Sequence, residues 1–318
     1  MMKWTARMRH LLSRSVDLLG PPDARCLVCG GRRLGQPPQT AGGLRLGDWL
    51  CAGCSARIPW IRRPACPRCG RPVFCPDCVR RPVRAFEMNR SAVRYNDDMK
   101  EWLALYKFRG DERYGEVLAE MLLPAYERLT AEVSAEAGGG DAGAYRALFS
   151  SPMNWPDRSR MGHPYAASSM TGRRSDRLPE SRSGGQIWHA VTYVPVGRER
   201  AEERGFNQSE RLARAAAMRA NAPLLPLLRR LRDSGKQSQR GRAERLRAMR
   251  AVFGPDEAGI GRLAEAAALS GCRPDAPMRI LLVDDIYTTG STAEACAEAI
   301  RAAVPFPVRI YVLTWARS

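Results

Sequence analysis

Four apolar residues in a row, Ile280 to Val283, run into two acids and then into a short stretch of hydroxyl residues and glycine, after which Ala293 to Ala303 have helical composition. A continuous apolar run of that length predicts a strand buried on both faces of a parallel sheet, followed here by a tight loop and a helix. Val308 to Trp315 predicts a second inner strand, and Val191 to Val196 predicts a strand entering a loop. Helical patterning is expected over Met99 to Tyr106, over Glu116 to Ala131, and from the Arg204-Gly205-Phe206-Asn207-Gln208 string through Ala220. Met1 to Leu19 is basic, with apolar residues at Trp4, Met8, Leu11, Leu12, Val16 and Leu19. It reads as an amphipathic helix, filling residues 1–20, that packs on the rest of the chain or touches a membrane surface. From Glu132 to Gln186 periodicity dissolves into Gly, Pro, Ser and Arg, the composition of a disordered insertion. Strands alternating with helices predict an α/β fold, a mainly parallel sheet flanked by helices.

The chemistry is densest where the first of these strands ends, at Val283-Asp284-Asp285-Ile286-Tyr287-Thr288-Thr289-Gly290-Ser291-Thr292. Gly290 permits positive φ or a close backbone approach, so N–H groups around Thr288 to Thr292 can converge on an anion at the helix N-terminus. Thr288, Thr289, Ser291 and Thr292 add hydroxyl donors. Asp284 and Asp285 can accept from the vicinal hydroxyls of a ribose, directly or through Mg²⁺, and can stabilise an oxocarbenium-like transition state. Open α/β sheets hold ligands at that end of their strands. A plainer reading ends the strand at the acids and lets Ser291 or Thr292 cap the helix. The uninterrupted order is more specific than that, and it resembles the phosphoribosyl-pyrophosphate (PRPP) motif of type I phosphoribosyltransferases.

Eight of the ten cysteines fall in four Cys-x-x-Cys pairs, Cys26/Cys29, Cys51/Cys54, Cys66/Cys69 and Cys75/Cys78. That is zinc-ribbon spacing, in which each pair supplies two thiolates through a tight knuckle, and Gly30 and Gly70 follow two of the pairs. Two structural zinc ions are expected, most simply one on the first four cysteines and one on the last four, with crossed pairing left open by spacing alone. Closed four-thiolate sites serve folding rather than catalysis. A disulfide framework is the alternative, but no secretory signal pattern is found, and a cytoplasmic location with reduced thiols is expected. Cys296, in an apolar helix, reads as a small buried hydrophobe.

Net charge is +18 over 318 residues, carried almost wholly by arginine, with Lys3, Lys100, Lys107 and Lys236 the only lysines. Arginine's planar fork suits phosphate, so polyanionic partners are expected. No stretch approaches the ~20 apolar residues of a membrane span. Residues 1–90 hold 17 basic and 5 acidic residues. Arg57, Arg62, Arg63, Arg68, Arg71, Arg80, Arg81 and Arg84 lie there among Trp49, Trp60, Phe74 and Phe86, a mixture suited to single-stranded nucleic acid or to a solvated basic surface over a small aromatic core. A second basic span, Arg198 to Arg250, predicts either a lid closing on an anionic substrate or, in its second half, a solvated helix. Arg198, Arg200 and Arg204 can face a pyrophosphate. The three histidines, His10, His163 and His189, stand near no second catalytic group in sequence, which argues against a histidine triad.

Taken together the chain resembles the ComF family, which joins an N-terminal double zinc ribbon to a type I phosphoribosyltransferase-like domain. The resemblance rests on the four cysteine pairs, Lys107-Phe108-Arg109-Gly110, Arg204 to Gln208, the segment Gln237 to Phe253, and Val283 to Thr292. Departures are Ser234 where the family usually has Thr, Ala248 where Asn is common, Gly197 where a second Pro is common, and the length of residues 132–186. It implies a ribbon module over residues 21–90 and a phosphoribosyltransferase-like domain over 91–318. It also implies a pyrophosphate loop at Val194 to Arg198, including Val196 and Gly197, and a mobile loop at Arg232 to Arg245 that carries Lys236. Asp284 and Asp285 would meet the ribose hydroxyls and Thr288 to Thr292 the 5′-phosphate, with Mg²⁺ accompanying PRPP. The implied role is handling of incoming single-stranded DNA in natural transformation, beside the DNA-uptake ATPase. The alternative is a metabolic phosphoribosyltransferase acting on a nucleobase or amine, for which no acceptor is legible.

Overall fold

A computed structural model describes residues 25–33, 45–81, 83–109, 112–137, 187–231, 252–269 and 277–318. The expected N-terminal helix, Lys236 with its mobile loop, and nearly all of the expected insertion lie outside the described residues. The described chain divides into two compact units, residues 25–58 and residues 59–318.

Among its described residues the smaller unit carries a 3-10 turn (Arg45–Asp48) and a short α-helix, α1 (Ala52–Ala56), around the first two cysteine pairs. In the larger unit the elements run α2 (Pro76–Arg80), β1 (Asn89–Arg94), α3 (Asp97–Arg109), α4 (Glu112–Ala137), β2 (Ala190–Tyr193), α5 (Arg198–Arg204), α6 (Gln208–Ala220), β3 (Leu228–Arg230), β4 (Phe253–Pro255), α7 (Glu257–Leu269), β5 (Met278–Tyr287), α8 (Ser291–Ala303) and β6 (Val308–Arg317). Four strands form a sheet in the order β1-β6-β5-β2, every neighbouring pair parallel, while β3 and β4 form a separate antiparallel pair. This is the mixed α/β architecture, with its mainly parallel sheet, that the strand and helix patterning predicts.

Alternation of side chains across a strand assigns the two faces. Ile280 and Leu282 of β5 and Ile310 and Val312 of β6 share a core with α8, the β3–β4 pair, Phe86 and the cysteines 66, 69, 75 and 78. Tyr311 turns to the other face, where its ring meets Trp188 edge-on at 5.4 Å and the Trp188 indole N–H donates to Thr130 of α4. Both faces are therefore covered, which is why the central strands read as unbroken apolar runs.

Two boundaries differ from the patterning. Strand β5 continues through Asp284 and Asp285 to Tyr287, because β6 runs beside it in register to the end, pairing Asp284 with Thr314 and Tyr287 with Arg317. Ladder pairing outweighs the poor strand propensity of Asp. Helix α4 extends to Ala137, six residues into the span expected to be an insertion. Val133 is buried there, and the Glu132 carboxylate receives the Arg90 guanidinium, an ion pair nearly sealed from solvent. Core contacts thus carry the helix past the point where apolar periodicity fades.

Candidate functional site

The carboxyl ends of the adjacent parallel strands β2 and β5 deliver two loops to one place. Val194 continues the pairing by donating its N–H to the Val283 carbonyl at 3.0 Å, so the loop 194–197 begins alongside Asp284. Val194, Asp284, Thr288, Gly290, Thr292 and Thr314 line a small open cleft there. Of the residues singled out from sequence, the fold brings Asp284, Asp285 and the 288–292 loop into one neighbourhood with the start of the 194–197 loop.

Gly290 is the N-cap of α8 and takes φ +81°, with its carbonyl receiving the Glu294 N–H at 2.9 Å. The capping position therefore has no side chain to offer, and the Thr289 and Ser291 hydroxyls bond each other at 2.8 Å instead. The Ser291 N–H also reaches the Thr289 hydroxyl at 3.4 Å, so neither Ser291 nor Thr292 is the cap and the loop meets part of the helix start itself. A Cβ at Gly290 would meet the Tyr287 ring at 2.6 Å from Cζ, in addition to the positive-φ strain. Gly290→Ala is expected to lower stability by about 2 kcal/mol, read as a shift of the urea midpoint at unchanged slope.

Asp284 is held from two sides. Its Oδ1 accepts from the Ser209 hydroxyl at 3.0 Å and from the Asp285 N–H at 2.9 Å. Burial, with the neighbouring Asp285 charge adding to it, pushes the Asp284 carboxyl up to about 7, against the opposing pull of those two hydrogen bonds and of Lys107. Asp285 forms an ion pair with the Lys107 ammonium. Neither Lys107 nor Ser209 stood out as a site residue in the sequence. The one signal was that each lies in or next to a motif, Lys107 heading Lys-Phe-Arg-Gly and Ser209 following Arg204-Gly-Phe-Asn-Gln.

That second motif is the joint between α5 and α6. Gly205 closes α5 in the left-handed region at φ +72°, and Asn207 caps α6 by accepting from the Ser209 N–H. The Asn207 amide also donates to the Val194 carbonyl at 3.1 Å, tying the joint to the β2 loop. Arg204 donates to the buried Gln208 side chain, and Arg211 lies 4.5 Å over the Phe206 ring. The motif thus places Ser209 against Asp284. Gly197 is the N-cap of α5, whose first residue is Arg198, so both stand at the end of the β2 loop. His189 accepts the Arg279 N–H at its Nδ1 beside the start of β5, and burial lowers its pKa, consistent with a structural role.

The four pairs of cysteines assemble as two quartets, Cys26/Cys29/Cys51/Cys54 and Cys66/Cys69/Cys75/Cys78, each with all its Sγ atoms within 4.8 Å of one another. Contacts such as Cys29 to Cys51 at 3.7 Å and Cys69 to Cys75 at 3.5 Å match the roughly 3.8 Å edge of a thiolate tetrahedron around a metal with ~2.3 Å bonds. Both quartets could hold zinc, and the pairing is sequential. Gly30 and Gly70 both take φ +69° in the knuckles. The second quartet is buried throughout, and Phe86 beside it is 2 % exposed, whereas Phe74 is 76 % exposed. Arg84 is drawn into an ion pair with Glu294, while Arg62, Arg63, Arg68 and Arg80 stay exposed. Cys296 is fully buried in α8, as expected of a small hydrophobe.

Among the described residues no helix is long and apolar enough to cross a membrane. No family model and no solved structure matches the chain. Two curated proteins do. Competence protein ComFC of Bacillus subtilis (strain 168) is 27% identical over 268 residues, which span 81% of this chain and 80% of that protein. Competence protein ComFC of Streptococcus pneumoniae (strain ATCC BAA-255 / R6) is 23% identical over 268 residues, 83% of this chain and 86% of that protein. Two such relatives aligned over most of its length, together with two four-cysteine clusters and a mainly parallel α/β sheet, support membership of the ComF family.

Proposed function

We propose that this protein binds a 5′-phosphoribosyl ligand, PRPP with Mg²⁺, at the β5–α8 loop and acts in natural transformation, handling incoming single-stranded DNA in the cytoplasm beside the DNA-uptake ATPase. The observation that carries the ligand assignment is the meeting of Asp284, Asp285, Lys107 and Ser209 beside a glycine-capped helix start. The carboxylates would receive the ribose hydroxyls and the metal that accompanies PRPP. The 288–292 loop would take the 5′-phosphate on backbone N–H groups and hydroxyls. Arg198, Arg204 and Lys236 would face the pyrophosphate, with the Val196–Gly197 backbone beneath it. Zinc would fill both cysteine quartets and hold the ribbons folded.

The competence role is supported by the names of the two relatives, and the DNA role by exposed Phe74 standing among exposed arginines. Arginines track the phosphate backbone while an exposed ring stacks on bases. Single-strand affinity is expected to fall steeply between low and physiological salt, and Phe74→Ala to weaken it about tenfold with the fold intact. Fluorescence anisotropy with a labelled oligonucleotide reads both. Affinity indifferent to Phe74 and to salt would remove the ribbon from the DNA role.

The test of the ligand assignment is calorimetric titration with PRPP and Mg²⁺, run on the intact protein and on the double variant Asp284→Asn, Asp285→Asn. Binding by the first and not by the second is expected. Absence of binding by the intact protein would refute it. Turnover is a separate question, answered by pyrophosphate release across a panel of nucleobase and amine acceptors.

A further inference from the structure

The phosphate-facing loop does not stand alone at the end of β5. Beneath it lies Tyr287, 3 % exposed, whose hydroxyl has no hydrogen-bond partner among the described residues and whose ring leaves Gly290 no room for a Cβ. The Phe86 ring meets Tyr287 edge-on at 6.3 Å. From the end of β6, Arg317 places its guanidinium 4.8 Å from the centre of the same ring and donates to the Tyr287 carbonyl at 3.3 Å. The guanidinium also donates to the Ser318 carbonyl, and its other terminal nitrogen reaches Cys69 Sγ at 3.9 Å. Arg317 is itself 4 % exposed, so its charge needs a buried anionic partner. A four-thiolate zinc centre is net negative and supplies one.

A second strut reaches the helix that the loop begins. Glu294, in the first turn of α8, accepts the Ala85 N–H at 2.9 Å and pairs with Arg84 at 3.8 Å. Arg301, further along α8, donates to the Ala85 carbonyl at 2.6 Å. Residues 84–86 follow directly on the ribbon that Cys66, Cys69, Cys75 and Cys78 close. The loop is therefore bracketed by two sets of contacts, one from the second cysteine quartet through Arg317 and Tyr287, and one from residues 84 and 85, beyond that quartet, through Glu294.

We propose that Arg317 and Tyr287 are positioning residues that couple the metal of the second quartet to the 288–292 loop, so that a metal-loaded ribbon holds the loop in its anion-binding form. The coupling deepens, and rests on, the assignment of that loop to the 5′-phosphate. Arg317 neutralises the thiolate centre on one side and clamps the Tyr287 ring on the other. With its thiolate partner gone, the buried guanidinium keeps only the neutral Tyr287 and Ser318 carbonyls, its charge is left uncompensated, and the ring under Gly290 loses its clamp.

Hydrogen exchange on the full-length, zinc-loaded protein reads loop order without any ligand. Zinc is counted in each sample by release to a chromogenic chelator. In Arg317→Met that retains its zinc, amides of the peptide 288–295 are expected to exchange about tenfold faster, while those of β1 keep their protection. Arg317→Lys should recover much of the loop protection. Unchanged exchange at 288–295 in zinc-loaded Arg317→Met overturns the coupling. Should that variant fail to fold or lose its metal, Arg317→Gln, which keeps a donor for the Tyr287 carbonyl but removes the charge facing the thiolates, carries the same expectation and the same overturning result. PRPP with Mg²⁺ titrated into the unmodified protein separates the two ideas. No binding there would defeat the phosphoribosyl assignment, whereas the tie between ribbon and loop stands or falls on the exchange rates alone.

Discussion

Cys69→Ser is expected to unfold the sheet-bearing unit, while Cys29→Ser leaves it folded. Cys69 is 2 % exposed and shares its core with Phe86, Ile280, Leu282 and Val312. The ribbon around it is also stitched to β1, since the Asn89 amide donates to the Cys69 carbonyl at 3.1 Å and the Asn89 N–H to the Arg68 carbonyl at 2.6 Å. Arg90 adds a bond to the Pro67 carbonyl. Loss of a metal held by the second quartet would thus remove a cross-link from the hydrophobic core of the larger unit. Structural zinc supplies on the order of 10 kcal/mol of folding free energy to small modules, and a domain's whole stability is about 5–15 kcal/mol, so the loss is expected to exceed what the sheet can absorb. Cys29 is exposed and belongs to residues 25–58, a separate compact unit. Zinc content should fall from about two to about one per chain in both variants. Circular dichroism on heating should then show a cooperative transition only for Cys29→Ser. Equal transitions would mean that the second quartet is peripheral to the core.

At pH 8, Asp284→Asn is expected to be more stable than the unaltered protein and to bind PRPP with Mg²⁺ at least about a hundredfold more weakly. The two results share one cause. In the folded chain, burial and the adjacent Asp285 raise the Asp284 carboxyl to about 7, against an ordinary value of 3.8. Between those values the folded state holds a proton that the unfolded state has released. Stability therefore falls as pH rises through the window from about 4 to 7, and the whole cost is present above it. Asparagine is neutral throughout and removes that slope. The gain at pH 8 is expected to be on the order of 2 kcal/mol, shrinking to about a third of that at pH 5, as read from urea unfolding at both pH values. A gain of equal size at the two values would trace it to something other than ionisation. Ligand binding runs the other way. A carboxylate that must accept from ribose hydroxyls or ligate Mg²⁺ needs its charge, so affinity for PRPP should rise from pH 6 to pH 8 in the unaltered protein and stay low and flat in the variant. An unfavourably buried acid retained at the end of a central strand is what a binding site, rather than a stability device, requires.

Much of this was legible in one dimension because it is written at short range. Apolar runs and periodicity mark the inner strands and the flanking helices, since burial on both faces of a parallel sheet selects unbroken hydrophobic segments. The order of acids, hydroxyls and glycine after Val283 marks the strand-to-loop-to-helix turn, and Cys-x-x-Cys spacing marks two quartets that could hold metal, because each device is completed within a few residues. Boundaries were less legible. Asp284 and Asp285 look like a strand's end and are instead strand residues, held there by the matching length of β6.

Tertiary structure alone decided which distant groups meet. Lys107 reaches Asp285 from the end of α3, and Ser209 reaches Asp284 from the start of α6, pairings that no periodicity encodes. The two aromatic residues near the second ribbon look alike in sequence, yet Phe86 entered the core and Phe74 stayed outside. Arg84 and Arg317, two arginines among many in a +18 chain, became buried partners of Glu294 and Cys69. Spacing fixes what a segment can become by itself. The burial of a charge, and hence its pKa and its partner, depends on what the rest of the chain packs against it, and that is settled only when the sheet, its helices and the second ribbon close on one core.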